Sequence, residues 1–149
     1  MSNFFRIFYW IIILLLVLFL LTSWLSQKKH YVVFPTRDVE FSVEIADTFD
    51  EWERGLMFRE KLDDNVGMLF VADYETTPVF WMKNMKFPLD LIFISKDKKV
   101  VDIKENFQPC IVDQCLTYVA ASPAQYVLEV NAGFVDADRI TVGDIVDFK

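Results

Sequence analysis

The sequence predicts a mostly β domain, a β-rich α+β fold of about six or seven strands and one or two short helices, preceded by one transmembrane helix. The chain of 149 residues is long enough for one domain. Its hydrophobic residues make up 54% of the total and are concentrated in an uncharged run near the N-terminus. After that run, short apolar stretches alternate with glycine, proline and charged residues, as strands do. The expected architecture is a compact sandwich or barrel.

The N-terminal run, residues 7–27, contains no charged side chain. As a helix it would be about 31 Å long, close to the ~30 Å thickness of bilayer hydrocarbon. A buried core helix is the alternative, but the run has no polar face. No small-x-small cleavage site follows, so we predict an uncleaved signal anchor that binds the lipid bilayer. Residues 1–6 would be an N-terminal tail, 28–37 a linker and 38–149 the domain.

The two cysteines, Cys110 and Cys115, bear on the compartment. A single pair across a short loop is typical of a disulfide in an oxidising environment, and two reduced thiols are the alternative. Arg6 on one side of the run and Lys28 and Lys29 on the other barely discriminate between orientations. We therefore predict a single-pass protein of the cell membrane with its domain on the extracytoplasmic side.

The first elements of the domain have clear local signals. Residues 39–45 alternate apolar and polar side chains, which predicts a half-buried strand. Thr48 and Glu51 have the spacing of a capping box, and Gly55 is a plausible end for the short helix that it begins.

The later elements follow from apolar runs bounded by residues that interrupt strands. Pro88 ends the predicted strand at 79–85, because proline cannot donate a hydrogen bond to a β-ladder. We predict strands at 67–72 and 79–85, a hairpin of 89–95 and 99–105, a strand at 125–131, a helical turn within 133–138 and a last strand after Gly143.

Composition and residue types exclude several functions. Beyond residue 30 there are 22 acidic and 12 basic residues, a net charge of −10, which disfavours nucleic-acid binding. His30 is the only histidine, so no Ser-His-Asp or Cys-His pair can form within the domain. Phosphate-binding glycine loops are absent from the sequence. We predict no metal site, no cofactor and no nucleic-acid partner.

The most unusual stretch is FWMKNMKFPLD. If it is extended, Trp81, Lys83 and Met85 share one face, and Met82 and Asn84 lie on the other. Aromatic and methionine side chains mixed with single polar donors suit the wall of a binding pocket. The alternative is a core strand from which Lys83 reaches solvent.

Three further residues are candidates for chemistry. Arg54 is able to hold a carboxylate or phosphate, or to pair with the surplus of acidic residues. Asp90 and Glu129 are acidic residues in apolar surroundings and are weak candidates for acid–base catalysis. For Glu129 a solvated strand position is the alternative.

The stretches RGLMFRE, GMLFVA, FWMKNMKFPLDLIFI, QPC with a second cysteine, YVLEVNAGF and VGDIV occur in this order between residues 54 and 146. Together they resemble the family known as domain of unknown function 192. The resemblance implies a small β-rich, sandwich-like domain, often behind a secretory signal or anchor, and no established reaction. This sequence departs from the family at Met85, where a Thr-like residue is commoner, and at Leu116-Thr117, where a Cys-Pro pair is familiar.

The ligand-binding candidates are Arg54, Trp81, Met82, Lys83, Asn84 and Asp90. The resemblance adds weight to them, because the family motif falls on all of them except Lys83. Its motif also falls on Gly55, Met57, Pro88, Glu129, Gly133 and Gly143. The leading hypothesis is a membrane-tethered binding module for a small molecule, a peptide or an envelope polymer. A structural or assembly partner of envelope proteins comes second, and a carboxylate-dependent hydrolase or transferase third.

Overall fold

The computed structural model describes residues 3–25, 29–110, 112 and 114–149. The helices are α1 (Asn3–Leu25), α2 (Phe49–Arg54) and α3 (Phe134–Ala137). The strands are β1 (His30–Phe34), β2 (Val39–Ala46), β3 (Val66–Thr76), β4 (Val79–Trp81), β5 (Leu89–Ile94), β6 (Val100–Phe107), β7 (Thr117–Val119), β8 (Ala124–Asn131) and β9 (Asp147–Phe148).

The helix α1 contains residues 7–25 of the run that we predicted to cross a membrane. Among the residues that the structure describes, no helix is both long and apolar enough to cross a membrane. This finding overturns the prediction of a single-pass cell-membrane protein with an extracytoplasmic domain. Residues 1, 2 and 26–28, which belong to the predicted tail, anchor and linker, lie outside the described residues.

Seven strands form one mixed sheet in the order β6-β5-β8-β3-β2-β1-β9, and β4 pairs with β7 in a separate two-stranded sheet. The pair β2–β3 is parallel, and the other neighbours in the large sheet are antiparallel. The large sheet curls until its edges meet. There Val100 N donates to Asp144 O at 2.9 Å, and Val146 N donates to Lys98 O at 2.9 Å. The mostly β class is therefore confirmed, as a curled sheet with few short helices.

Both faces of the large sheet are covered by apolar residues. The strand β5 is buried along its whole length, with Leu91 and Phe93 in one core and Ile92 and Ile94 in the other. Successive side chains of a strand point to opposite faces, so a strand covered on both sides is apolar throughout. The first core lies under α2 and the β4–β7 pair, and this is the side of the sheet that carries the candidate site.

The structure contains the short helix α2 that the local sequence pattern predicted. Thr48 caps α2, since its side chain accepts from Glu51 N and Glu51 accepts from Thr48 N at 3.1 Å. The hydrogen bond from the Thr48 side chain is the main cause that lowers the pKa of the Glu51 carboxyl. Gly55 ends the helix with a φ of 45°, a conformation that suits glycine.

Two regions differ from the predictions. The predicted linker, residues 28–37, contains the strand β1. Apolar and polar residues do not alternate in β1, and this strand pairs with β2 and β9. The predicted strand 79–85 ends at Trp81 because Asn84 takes a left-handed φ of 58° and turns the chain. The turn leaves Asn84 exposed and buries Met85, so these two residues exchange the faces that strict alternation assigned to them.

Candidate functional site

A cleft of about 250 Å³, here called the outer cleft, opens between α2 and the segment that follows β4. It includes four of the predicted ligand-binding residues, which are Arg54, Trp81, Lys83 and Asn84. The other lining residues are Asp50, Glu53, Met57 and Phe58. The structure therefore places residues from two of the motifs in one concave surface.

A pair of left-handed residues holds the walls of the outer cleft together. Phe58 has a φ of 66° and Asn84 a φ of 58°. Phe58 N donates to Asn84 O at 3.0 Å, and Asn84 Nδ2 lies 3.6 Å from the sulfur of Met57. Asparagine adopts this conformation more readily than most residues. Position 84 thus has a conformational role as well as a polar side chain in the cleft.

Two cations, Arg54 and Lys83, and two acids, Asp50 and Glu53, line the outer cleft. Within the described ranges, neither Arg54 nor Lys83 forms an ion pair. Lys83 Nζ lies 5.1 Å from the centre of the Trp81 ring, in a cation–π contact. By contrast, Arg59 binds Glu44 through two hydrogen bonds of 2.5 and 2.6 Å, which lower the pKa of the Glu44 carboxyl. An ion pair with Glu44 therefore forms at Arg59, whereas the charge of Arg54 is only a further cause of the lowered Glu44 pKa.

A smaller cavity of about 30 Å³, here called the inner cavity, lies next to the outer cleft. The two share the lining residues Glu53, Arg54, Met57, Trp81 and Lys83. The rest of the lining is mainly aromatic and sulfur-containing, and consists of Trp52, Gly55, Leu56, Phe70, Phe80, Met85 and Glu129. The aromatic rings brace one another, with centroids 5.3 Å apart for Trp52 and Phe70 and 5.2 Å apart for Phe70 and Phe80.

Glu129 is the only acidic residue in the sheet strands that lines the inner cavity. It is 5% exposed and lies on β8, opposite Met68 of β3 and Leu91 of β5. In the described part of the chain, no group hydrogen-bonds to its carboxyl oxygens. Burial raises the pKa of the Glu129 carboxyl to about 8. At neutral pH the group is therefore mostly a neutral acid, with one donor and two acceptor oxygens directed at the cavity.

Asp90 has the opposite arrangement. It is 1% exposed, and its carboxylate accepts hydrogen bonds from Asn106 N at 2.7 Å, Gly133 N at 2.9 Å and Val135 N at 3.0 Å. These contacts tie β6 and the start of α3 to β5, and they lie away from the outer cleft. Asp90 thus has structural partners for its carboxylate, and the structure does not place it with the other candidate residues.

Met82 also lies apart from the outer cleft. Its side chain is buried in the core and lines a separate groove of about 390 Å³ with Lys104, Phe107 and Cys110. Beside this groove Cys110 and Cys115 form the predicted disulfide, with their Cα atoms 5.6 Å apart.

The sequence did not single out the aromatic wall of the inner cavity. Trp52 lies on α2, where its Nε1 donates to Val71 O at 3.3 Å, and Phe70 lies on β3. The sequence singled out neither residue, since an apolar residue next to a cavity has no distinct local signal. Their meeting with Glu129 depends on the pairing of β3 with β8, which links residues far apart in the chain.

Comparison with known proteins identifies the family. The family model DUF192, described as an uncharacterized ACR, matches residues 32–148. The chain belongs to the DUF192 family. This DUF192 chain is 28% identical over 115 residues to a UPF0127 protein of Pyrococcus furiosus, a match that covers 76% of the chain and 91% of the relative. A UPF0127 protein of Thermococcus sibiricus is 30% identical over 109 residues, which cover 72% of the chain and 66% of that relative.

A solved structure has the same fold. A protein of unknown function from Novosphingobium aromaticivorans superposes with a TM-score of 0.72 and 36% sequence identity. The match covers 80% of this chain and 83% of that one. The family resemblance predicted from the motifs is therefore confirmed. Neither this protein nor the two UPF0127 relatives carries a name that specifies a reaction.

Proposed function

We propose that this DUF192 protein is a binding module and that its outer cleft takes a small molecule or peptide carrying an acidic group. The observation that carries the proposal is the presence of two cations without ion-pair partners in the described chain, Arg54 and Lys83, in one concave surface. The described chain is acidic overall, and six of its other twelve basic residues have acidic partners. Cations that stay unpaired in such a chain are available to a ligand.

The remaining groups of the cleft suit recognition of an organic acid. Arg54 has the planar fork that fits a carboxylate or phosphate, and Asn84 offers a further donor. Trp81 is 42% exposed, so it offers a large apolar surface to a ligand. The outer cleft thus combines charged and polar groups with one large apolar surface.

A hydrolase or transferase is the second candidate. Burial raises the pKa of Glu129 to about 8, and a general acid works best when its pKa lies near the ambient pH. Acid–base catalysis also needs a nucleophile or a second acid–base group close by. Within the described residues Glu129 has no hydrogen-bonded neighbour of that kind, and the Asp90 carboxylate is engaged by backbone N–H groups. A binding role therefore uses more of the observed geometry than a catalytic one.

The test is a thermal-shift and NMR titration at pH 7 with indole-3-acetate, benzoate, succinate and inorganic phosphate as probes. We expect the two aromatic acids to raise the Tm with saturation, since they use both Trp81 and Arg54. The variants Arg54→Ala and Trp81→Ala should lose this shift. Lys96→Ala removes a surface cation outside the cleft and should keep it.

Two outcomes would count against the proposal. An equal Tm shift in Arg54→Ala and in the wild type would mean that the probes bind elsewhere. Unfolding of Trp81→Ala without ligand would return this residue to a purely structural role in the core.

A further inference from the structure

The inner cavity contains a polar group that the protein itself does not use. Glu129 occupies a position flanked by Met68 and Leu91, where an apolar side chain would be buried at lower cost. Its carboxyl oxygens have no hydrogen-bond partner in the described chain, although the side chain is 5% exposed. Every fully buried side-chain nitrogen or oxygen atom in the described chain has a partner, so these oxygens reach the cavity space. A group that enters the cavity would meet them directly.

The walls around Glu129 suit a small cation. Trp52, Phe80 and Trp81 line the cavity together with the sulfur-containing side chains Met57 and Met85. Aromatic rings attract cations through their quadrupoles, and thioether sulfur is soft and polarisable. A volume of about 30 Å³ exceeds the ~10–15 Å³ that holds one water molecule, so the cavity admits an ammonium-sized group.

The charges that face Glu129 are distributed along the depth of the site. Glu53 and Arg54 come from α2 and Lys83 from the segment after β4, whereas the neighbours on β3 and β5 are apolar. Both cations also line the outer cleft, and Lys83 lies against Trp81 there. The site therefore has Arg54 and Lys83, beside Asp50 and Glu53, towards the mouth and Glu129 at its inner end.

We propose that the ligand is zwitterionic, and that its ammonium group enters the inner cavity and pairs with Glu129 while its acidic group binds Arg54 and Lys83. This inference rests on the proposed binding function and specifies the ligand class as an amino acid, an amino-acid derivative or the end of a peptide. Pairing with an ammonium converts Glu129 to its carboxylate, and the displaced proton passes to solvent. A neutral hydroxyl or amide group is the competing occupant, and it would bind the protonated acid instead.

The pH dependence of binding separates these two occupants. The probes are methylammonium chloride and formamide, titrated by NMR at pH 6 and pH 8 at constant ionic strength. Methylammonium keeps its charge in this range, so its affinity should follow the ionised fraction of Glu129. With a pKa of about 8, that fraction rises about 50-fold between pH 6 and pH 8. Binding of formamide without binding of methylammonium, or a methylammonium affinity that is the same at both pH values, would overturn the inference.

Variants distinguish a failure here from a failure of the proposed function. Glu129→Gln keeps the size of the side chain and should abolish methylammonium binding while retaining indole-3-acetate binding. Arg54→Ala should do the reverse. If indole-3-acetate binds and methylammonium does not, the cleft is a binding site and the zwitterion is wrong. If only methylammonium binds, the acidic half of the proposed function is wrong. Persistence of methylammonium binding in Glu129→Gln would also overturn the inference.

Discussion

The raised pKa of Glu129 makes the stability of this protein depend on pH in a direction unusual for a glutamate. Because the folded protein holds the proton more tightly than the unfolded chain, the unfolded state binds fewer protons above pH 4.5. The free energy of unfolding therefore falls as the pH rises from about 4.5 to about 8. The contribution of this residue is fully present below pH 4.5 and is lost as the pH rises through the folded pKa.

The size of the effect follows from the shift. Each pKa unit corresponds to about 1.4 kcal/mol. With values of 4.5 in the unfolded chain and about 8 in the fold, the wild type should lose on the order of 3 kcal/mol of stability from this residue between pH 5 and pH 8. Glu129→Gln has no proton to release. The difference in free energy of unfolding between the variant and the wild type should therefore grow by that amount over the same range.

The assay is urea denaturation at half-unit steps from pH 5 to pH 8, followed by tryptophan fluorescence. Glu105→Gln replaces an exposed glutamate of β6 and controls for the loss of one negative charge, so its curve should run parallel to that of the wild type. Parallel curves for Glu129→Gln and the wild type would refute the reasoning, because they would show that Glu129 holds its proton equally in both states.

Three further perturbations test the fold around the site at pH 7, each by urea denaturation. Gly67→Ala should destabilise the protein by about 2 kcal/mol or more, since its Cβ would lie 2.7 Å from the backbone oxygen of Glu129; wild-type stability would mean that β3 and β8 are further apart. Asp90→Asn should cost about 2 kcal/mol, because an amide cannot accept from three N–H groups as a carboxylate does, and a neutral result would contradict these bonds. Replacing Cys110 and Cys115 by serine should lower the free energy of unfolding by about 2 kcal/mol, because the unfolded chain is no longer constrained by the closed loop. In the native protein these cysteines should resist thiol labelling without reductant, and ready labelling would contradict the disulfide.

Signals carried by neighbouring residues were sufficient for much of the fold. The capping box of Thr48 and Glu51 acts within one helical turn, and the hairpin of β5 and β6 is bounded by a charged turn. The strand β1 was missed because its sequence, HYVVF, has no alternation, and its pairing with β9 joins the two ends of the domain. No local pattern encodes a pairing of that range.

The candidate site was predictable only in its outer part. Its residues Arg54, Trp81, Lys83 and Asn84 belong to two sequence motifs, and the sequence alone predicts them as ligand-binding candidates. The prediction of continuous strand geometry at 79–85 failed at the left-handed Asn84, because alternation assumes an extended backbone at every residue. The inner cavity combines α2, β3, β4 and β8, so its existence follows from tertiary structure alone.

The two buried acids, Asp90 and Glu129, show why burial alone does not identify a functional residue. Asp90 accepts three backbone N–H groups, and removing its charge would leave those donors unsatisfied, so its burial is explained by the fold. The Glu129 side chain forms no hydrogen bond with the described chain, so replacing it should not cost the fold a hydrogen bond. An acid that the fold does not need, directed into a cavity beside two cations without ion-pair partners in the described chain, is the group that the proposed ligand would use. For that reason binding experiments at Glu129 should be more informative than further substitutions at Asp90.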